Sequence, residues 1–175
     1  MARMRELLAM ALVATLGCEV ADFNVERKGT ATIPRNRPAD GVPIMRLDDF
    51  ELELAEIEDE RGVSKKDLAE ADLQRFRLEV IDPAELDLSF ADRVEIYAEA
   101  PGLERVRVAW QDDFPVGARV VDLETDDVDL REYVAAPSVT LFAVIDSAAP
   151  PVDVRVRGIA ELHLGVTLRG ACTHM

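Results

Sequence analysis

The amino-acid sequence predicts an all-β domain, and three observations predict it. Apolar residues recur at every second position over most of the chain after Asp72, a period that is typical of strands with one buried face. Proline and glycine interrupt this alternation at intervals, as they do in turns. Apolar residues make up 49% of the 175 residues, which is enough for the hydrophobic core of one domain.

Four short segments are predicted to be strands. In three of them the residues expected to face the core are Phe76, Leu78 and Val80, then Val94, Ile96 and Ala98, then Val106, Val108 and Trp110. The alternative for Trp110 is an exposed side chain that serves as a ligand platform. The fourth segment, residues 139–145, is apolar on both faces, which predicts a central strand covered on both sides.

The longest alternation runs from Val152 to Leu168, and its even-numbered apolar residues are predicted to face the core. A straight strand of that length would reach roughly 55 Å, which is too long for a compact sandwich. We therefore expect a kink or bulge at Gly158 that lets one strand serve two sheets. The number and spacing of the strands predict an immunoglobulin-like β-sandwich.

One short helix is predicted before the strands, where Ser64 can accept an amide hydrogen bond and Asp67 favours the positive end of the helix dipole. Before this helix, residues 18–43 are rich in Pro, Arg, Asn and Gly and are predicted to be a tether, with one β-like patch at residues 29–33. The sandwich domain is predicted to span residues 44–175.

The first residues have the pattern of an export signal. Arg3 and Arg5 precede an apolar run over residues 7–16, which is too short to span a bilayer. The run ends at Gly17 and Cys18, as in the lipobox of bacterial lipoproteins, so residues 1–17 are predicted to be a lipoprotein signal peptide and Cys18 the lipidation site. The alternatives are a buried N-terminal helix, or secretory cleavage that leaves Cys18 a plain thiol. If Cys18 is acylated, Cys172 is left as a free or intermolecular thiol.

The net charge of −15 makes nucleic acid an unsuitable partner, because phosphates would be repelled. The sequence offers few candidate catalytic residues. His163 lies among the polar positions of a predicted strand, and His174 is close to the chain end. We therefore predict no catalytic residues, no cofactor and no enzyme activity.

An acid-rich stretch offers candidate calcium ligands, since calcium takes several oxygen ligands from loops. The candidates are Asp122, Glu124, Asp126, Asp127 and Asp129. Because successive side chains of a strand project from opposite faces, these carboxylates are not expected to converge on one ion. We expect them to point into solvent and to repel one another.

Several segments resemble bacterial envelope lipoproteins of unassigned function. The likeness is carried by residues 88–90, 94–103, 121–123 and 129–134. It implies a leader, a lipidated cysteine, a short tether and one β-sandwich, and it carries over no catalytic or ligand residue. The expected function is a lipid-anchored, non-enzymatic binding or structural module of the cell envelope, with an envelope protein or ligand as partner. The alternatives are a calcium-dependent adhesion module and, from another class, a metal-assisted hydrolase.

Overall fold

The computed structural model describes residues 20–35, 45–46, 64–147 and 149–167. The predicted signal peptide, the lipidation site and the chain end, including Cys18, Leu168, Cys172 and His174, lie outside the described residues.

Antiparallel strands make up most of the described chain. The strands are β1 (Val20–Ile33), β2 (Met45–Arg46), β3 (Leu68–Asp82), β4 (Ala91–Glu99), β5 (Val106–Asp112), β6 (Val120–Thr125), β7 (Thr140–Ser147) and β8 (Val154–Thr167). A 3₁₀ turn (Lys65–Asp67) precedes β3, and helix α1 (Arg131–Ala135) precedes β7. The strand order is β1-β8-β3-β6-β5-β4-β7-β2, and the sheet curls into a half-barrel.

Strand β6 joins the two halves of this sheet. Residues 120–123 pair with β3, whereas Glu124 and Thr125 pair with β5. Phe76 of β3 and Ile96 of β4 are both fully buried and belong to one core cluster, so the two halves share their interior. The predicted all-β class is confirmed. The immunoglobulin-like sandwich is not, because β6 connects the halves into one sheet.

The alternation in β8 is confirmed from Val154 onward. Val154 and Leu164 are both fully buried, as are the even-numbered apolar residues between them. Val152, which was predicted to face the core, is 42% exposed because it precedes the strand. The inner face of β8 is thus continuous along the whole strand.

The bulge expected at Gly158 lies elsewhere. β8 pairs with β1 over 14 consecutive residues without a register shift, and Gly158 lies opposite Gly29. The three register shifts between β3 and β8 each leave an extra residue in β3. One of them follows Leu73, so that the buried positions change from odd (Leu73) to even (Phe76). Bulges bend a strand and increase its twist, so β3, not β8, accommodates the curvature here.

The prediction of a tether is wrong for residues 20–33, which form β1. Residues 20–33 form a full strand of the sheet, so the folded part begins well before residue 44. Val25 and Ile33 are buried on the inner face, while Asn24 and Lys28 face solvent on the other. Within residues 20–33, the polar side chains that suggested a tether belong to the outer face of a strand. Residues 36–43 of the predicted tether lie outside the described residues.

The short helix predicted after Ser64 is a single 3₁₀ turn. The Ser64 hydroxyl accepts a hydrogen bond from the backbone N–H of Lys66 at 3.4 Å, and β3 begins directly after Asp67. Glycines stand at two predicted turns, where Gly102 and Gly117 have φ of +82° and +86°, a backbone region that other residues rarely adopt.

Candidate binding face

A bulge in β5 turns Trp110 away from the core. In the pairing of β4 with β5, Ile96 lies opposite Ala109 but Tyr97 lies opposite Arg107, so Val108 is the extra residue. Val108 and Ala109 are both buried, and beyond them the alternation is reversed. Trp110 therefore lies on the outer face and is partly exposed. The prediction that it is a core residue is wrong, because parity was counted through a bulge.

Trp110 belongs to a cluster on the outer face of β4, β5 and β7 that we call the arginine–aromatic face. Its members are Arg93, Glu95, Tyr97, Arg105, Arg107, Trp110, Asp112, Asp126 and Phe142. Cross-strand register explains the grouping: Tyr97 lies opposite Arg107 on one side and Phe142 on the other.

Arg107 is the most connected side chain of this face. Its Nε donates to Asp126 Oδ2 at 2.7 Å and its Nη2 donates to Oδ1 of the same carboxylate at 3.3 Å. Its Nη1 donates to Glu95 Oε1 at 3.2 Å. The hydrogen bonds from Arg107 to Asp126, followed by those to Glu95, raise the pKa of this guanidinium. The bidentate geometry fixes the plane of the guanidinium group.

Glu95 connects Arg107 to two more members of the face. It accepts hydrogen bonds from Arg93 Nε at 3.2 Å and from the Tyr97 hydroxyl at 3.0 Å. Burial first, and then the hydrogen bond to Glu95, raise the pKa of the Tyr97 phenol. Four polar groups are thus held in one network across β4 and β5.

The aromatic rings are covered by arginines. The guanidinium carbons of Arg107 and Arg93 lie 5.4 Å and 5.8 Å from the centroid of the Trp110 ring. Both distances are within the range of cation–π attraction.

A second aromatic group lies beside the first. Tyr97 and Phe142 stack with centroids 5.6 Å apart, and Arg105 lies 4.9 Å and 4.8 Å from the two centroids. Phe142 is buried in this arrangement. β7, which was predicted to be central, lies between β4 and β2 in the order of the described strands. Arg105 is exposed and forms no ion pair within the part of the chain that the structure describes.

The arginine–aromatic face concentrates three arginines, Arg93, Arg105 and Arg107, in a strongly acidic chain. Glu95, Asp112 and Asp126 match their charge within the face, and Glu124 and Asp146 lie opposite Trp110 and Arg93. The chain as a whole carries −15. An acidic protein would therefore meet less repulsion on this face than the overall charge suggests.

The candidate calcium ligands do not converge. Asp122 accepts two hydrogen bonds from Arg77, at 2.7 Å and 2.9 Å, while Asp126 binds Arg107 and Asp129 binds Arg131. Among the residues with described positions, no group of three or more acidic, histidine or cysteine side chains is placed to hold a metal ion. The repulsion expected between these carboxylates is replaced at three of them by pairing with arginine.

The remaining two acids of this set are exposed. Glu124 lies opposite Trp110 at the edge of the arginine–aromatic face. Asp127 lines an open groove of about 400 Å³ beside α1, together with Asp129, Glu70 and Asp72. The structure therefore distributes the acid-rich stretch over separate surfaces.

His163 lies on the outer face of β8, where its Nδ1 is 3.2 Å from the Asn24 side-chain oxygen. This is a cross-strand contact between paired positions of β1 and β8, as its polar phase predicts. No nucleophile contacts it among the described residues.

Comparisons with known proteins give no family assignment: no protein-family model matches the chain, and no curated protein matches it. None of the described helices has the length and apolar character required to cross a membrane.

Proposed function

We propose that this chain is a lipid-anchored, non-enzymatic protein of the bacterial cell envelope that binds a protein partner through the arginine–aromatic face. The observation that carries the proposal is the position of Trp110 and Tyr97 on the outer face among three arginines. Trp, Tyr and Arg are the residue types that dominate the energetics of protein interfaces. The bulge holds this tryptophan outside the core, where its ring packs against Arg93 and Arg107 rather than against the buried apolar residues.

Preorganisation supports a binding role for this face. The side chains of Arg107 and Glu95 are held by several hydrogen bonds, so little rotamer freedom would be lost when a partner covers them. Arg105 adds an exposed cation that a partner's carboxylate can approach. The same hydrogen bonds oppose a catalytic role, because the carboxylates of Glu95 and Asp126 are already bonded to arginines rather than held ready for proton transfer.

The proposed anchor is Cys18, on the strength of the basic start, the apolar run and the Gly17-Cys18 pair. β1 begins at Val20, so one residue would separate an acylated cysteine from the sheet. Acyl chains bury about 0.8 kcal/mol per methylene in a bilayer. The domain would thus be held directly against the membrane, with one end of β1 close to the lipid headgroups.

The anchor is tested by the intact mass of the protein isolated from bacterial membranes. We expect cleavage before Cys18 and the added mass of lipid, and a Cys18→Ala variant that leaves the membrane fraction. Cys172→Ala is the matched control and is expected to partition like the unaltered chain. A Cys18→Ala variant that stays in the membrane fraction would contradict the proposed anchor.

A further inference from the structure

Strand β1 forms a long edge of the described sheet. Its only neighbour among the described strands is β8, with which it pairs over 14 residues without interruption. Edge strands of soluble proteins are commonly blunted by bulges, proline or short length. β1 has no proline and no register shift in its pairing with β8. The backbone of β1 is therefore suited to pairing with another strand.

We propose that β1 pairs antiparallel with β1 of a second copy of this chain, about a two-fold axis at Arg27. Residues directly opposite each other on paired antiparallel strands project from the same face of the sheet. An axis at Arg27 puts Glu26 of each copy opposite Lys28 of the other. Within one chain these two side chains form an ion pair with each other at 2.9 Å, and they are 50% and 57% exposed, so each can exchange that partner for the one across the edge. Asn24 and Thr30 become neighbours in the same way, and an amide and a hydroxyl at that spacing can hydrogen-bond.

The inner face of β1 is partly self-complementary in size. The same axis puts Val25 opposite Gly29 and Phe23 opposite Ala31, so that each of these larger apolar side chains meets a small residue. At the axis itself, Arg27 meets Arg27 of the second copy. The apolar pairs on the inner face and the charge pairs on the outer face thus favour the same register.

Neighbouring registers lose the charge match. An axis at Glu26 puts Asn24 opposite Lys28, and an axis at Lys28 puts Glu26 opposite Thr30. Only the axis at Arg27 pairs Glu26 with Lys28 of the second copy. Its cost is the approach of two Arg27 side chains at the axis, which limits the stability of the pair.

Charge reversal in the full chain, purified in nonionic detergent, tests this pairing by sedimentation velocity over a range of concentrations. We expect Glu26→Lys and Lys28→Glu each to weaken self-association by about tenfold, because two attractive pairs become repulsive. The double variant, and an equimolar mixture of the single variants, should restore it. Arg131→Glu, which breaks the exposed Arg131–Asp129 pair at α1, is the matched control and should leave self-association unchanged.

Two results would overturn the proposal in this experiment: an unaltered chain that stays monomeric throughout, or single variants that associate as the unaltered chain does. Failure of the mixture to recover would also contradict the register.

A cross-link tests the register directly. Arg27→Cys in a Cys172→Ala background is expected to form a disulfide between residues 27 of two copies, since paired antiparallel residues have Cα atoms about 4.5–5.5 Å apart. Hydrogen exchange should show added protection in the associated chain at those β1 amides that do not donate to β8. A cross-link to a different protein, or protection of these outward amides in the monomer, would assign the edge to another occupant and overturn the proposal.

Discussion

The two halves of the sheet share one core but carry different chemistry on their outer faces. On β1, β8 and β3 the outer side chains form ion pairs and hydrogen bonds among polar groups, such as Arg77 with Asp122, and Glu161 with Arg75 and Asn24. On β4, β5 and β7 the arginines also cover aromatic rings and share the carboxylate of Glu95.

The two outer faces differ in how firmly their side chains are held in place. Exposed ion pairs contribute about 0–1 kcal/mol each and keep a surface hydrated. A connected network of arginines over tryptophan and tyrosine is more ordered than solubility requires. The comparison therefore supports the proposed binding role of the arginine–aromatic face and leaves the charged face of β3 and β8, which carries Arg75, Arg77 and Glu161, as a solvated surface.

The largest expected effect tests whether the two halves share one core. Phe76→Ala in β3 should lower the free energy of unfolding by about 3–5 kcal/mol, and Ile96→Ala in β4 by about 2–5 kcal/mol, because both side chains are fully buried. Chemical denaturation should show one transition for each. Val116→Ala, at a side chain that is 90% exposed, is the control and should change the value by less than about 0.5 kcal/mol. Two separate transitions would mean that the halves unfold independently.

The next effect compares an arginine from each outer face. Arg107→Ala should lower the free energy of unfolding by about 1–2 kcal/mol, because Asp126 loses its two hydrogen bonds from Arg107 and Glu95 loses one of its three donors. It should also shift the emission of Trp110, the only tryptophan, to longer wavelength as the ring becomes more exposed. Arg77→Ala should have a smaller effect on stability and none on emission. Equal effects of the two substitutions would remove the distinction between the faces.

A smaller effect concerns acid. The hydrogen bonds from Arg77, which outweigh partial burial, lower the pKa of the Asp122 carboxyl. A lowered pKa in the folded state stabilises the fold above the ordinary carboxyl pKa, and this contribution disappears as the pH falls through the folded-state value. Asp122→Asn should therefore be less stable than the unaltered chain at neutral pH, and the difference should vanish in acid. A difference that persists in acid would point to a packing defect instead.

The smallest effect is spectroscopic. The Tyr97 phenol has a raised pKa, so it stays protonated in the folded chain at a pH where the unfolded chain is already ionised. Stability from this group is present below the ordinary phenol pKa and is lost as the pH rises through the folded-state value. Ultraviolet titration should show Glu95→Gln lowering the pKa of Tyr97, because the carboxylate no longer opposes ionisation. An unchanged titration would show that Glu95 does not contribute.

Residues 154–166 and the segments around Phe76 and Val94 could be predicted from sequence, because an unbroken period of two identifies the buried face. Trp110 could not, because one extra residue in β5 reverses every later position and leaves no mark beyond the consecutive apolar run of Val108, Ala109 and Trp110. That run was the available signal.

The network around Glu95 was also missed. It depends on cross-strand register, which places Glu95 and Tyr97 beside residues of β5 and β7 that are distant in sequence. β1 could not be predicted in full for another reason. Its outer residues are polar enough to suggest a tether, and its pairing with β8 identifies it as a strand.

The most direct test of the central claim is photo-cross-linking in the native envelope from one position on each outer face. A photoreactive residue at position 105 samples the arginine–aromatic face, and one at position 75 samples the charged face. We expect a discrete adduct to one partner protein from position 105, and we expect this adduct to be lost in a Trp110→Ala variant. Position 75 should give no such adduct. The same adduct from both positions, or none from position 105, would contradict it.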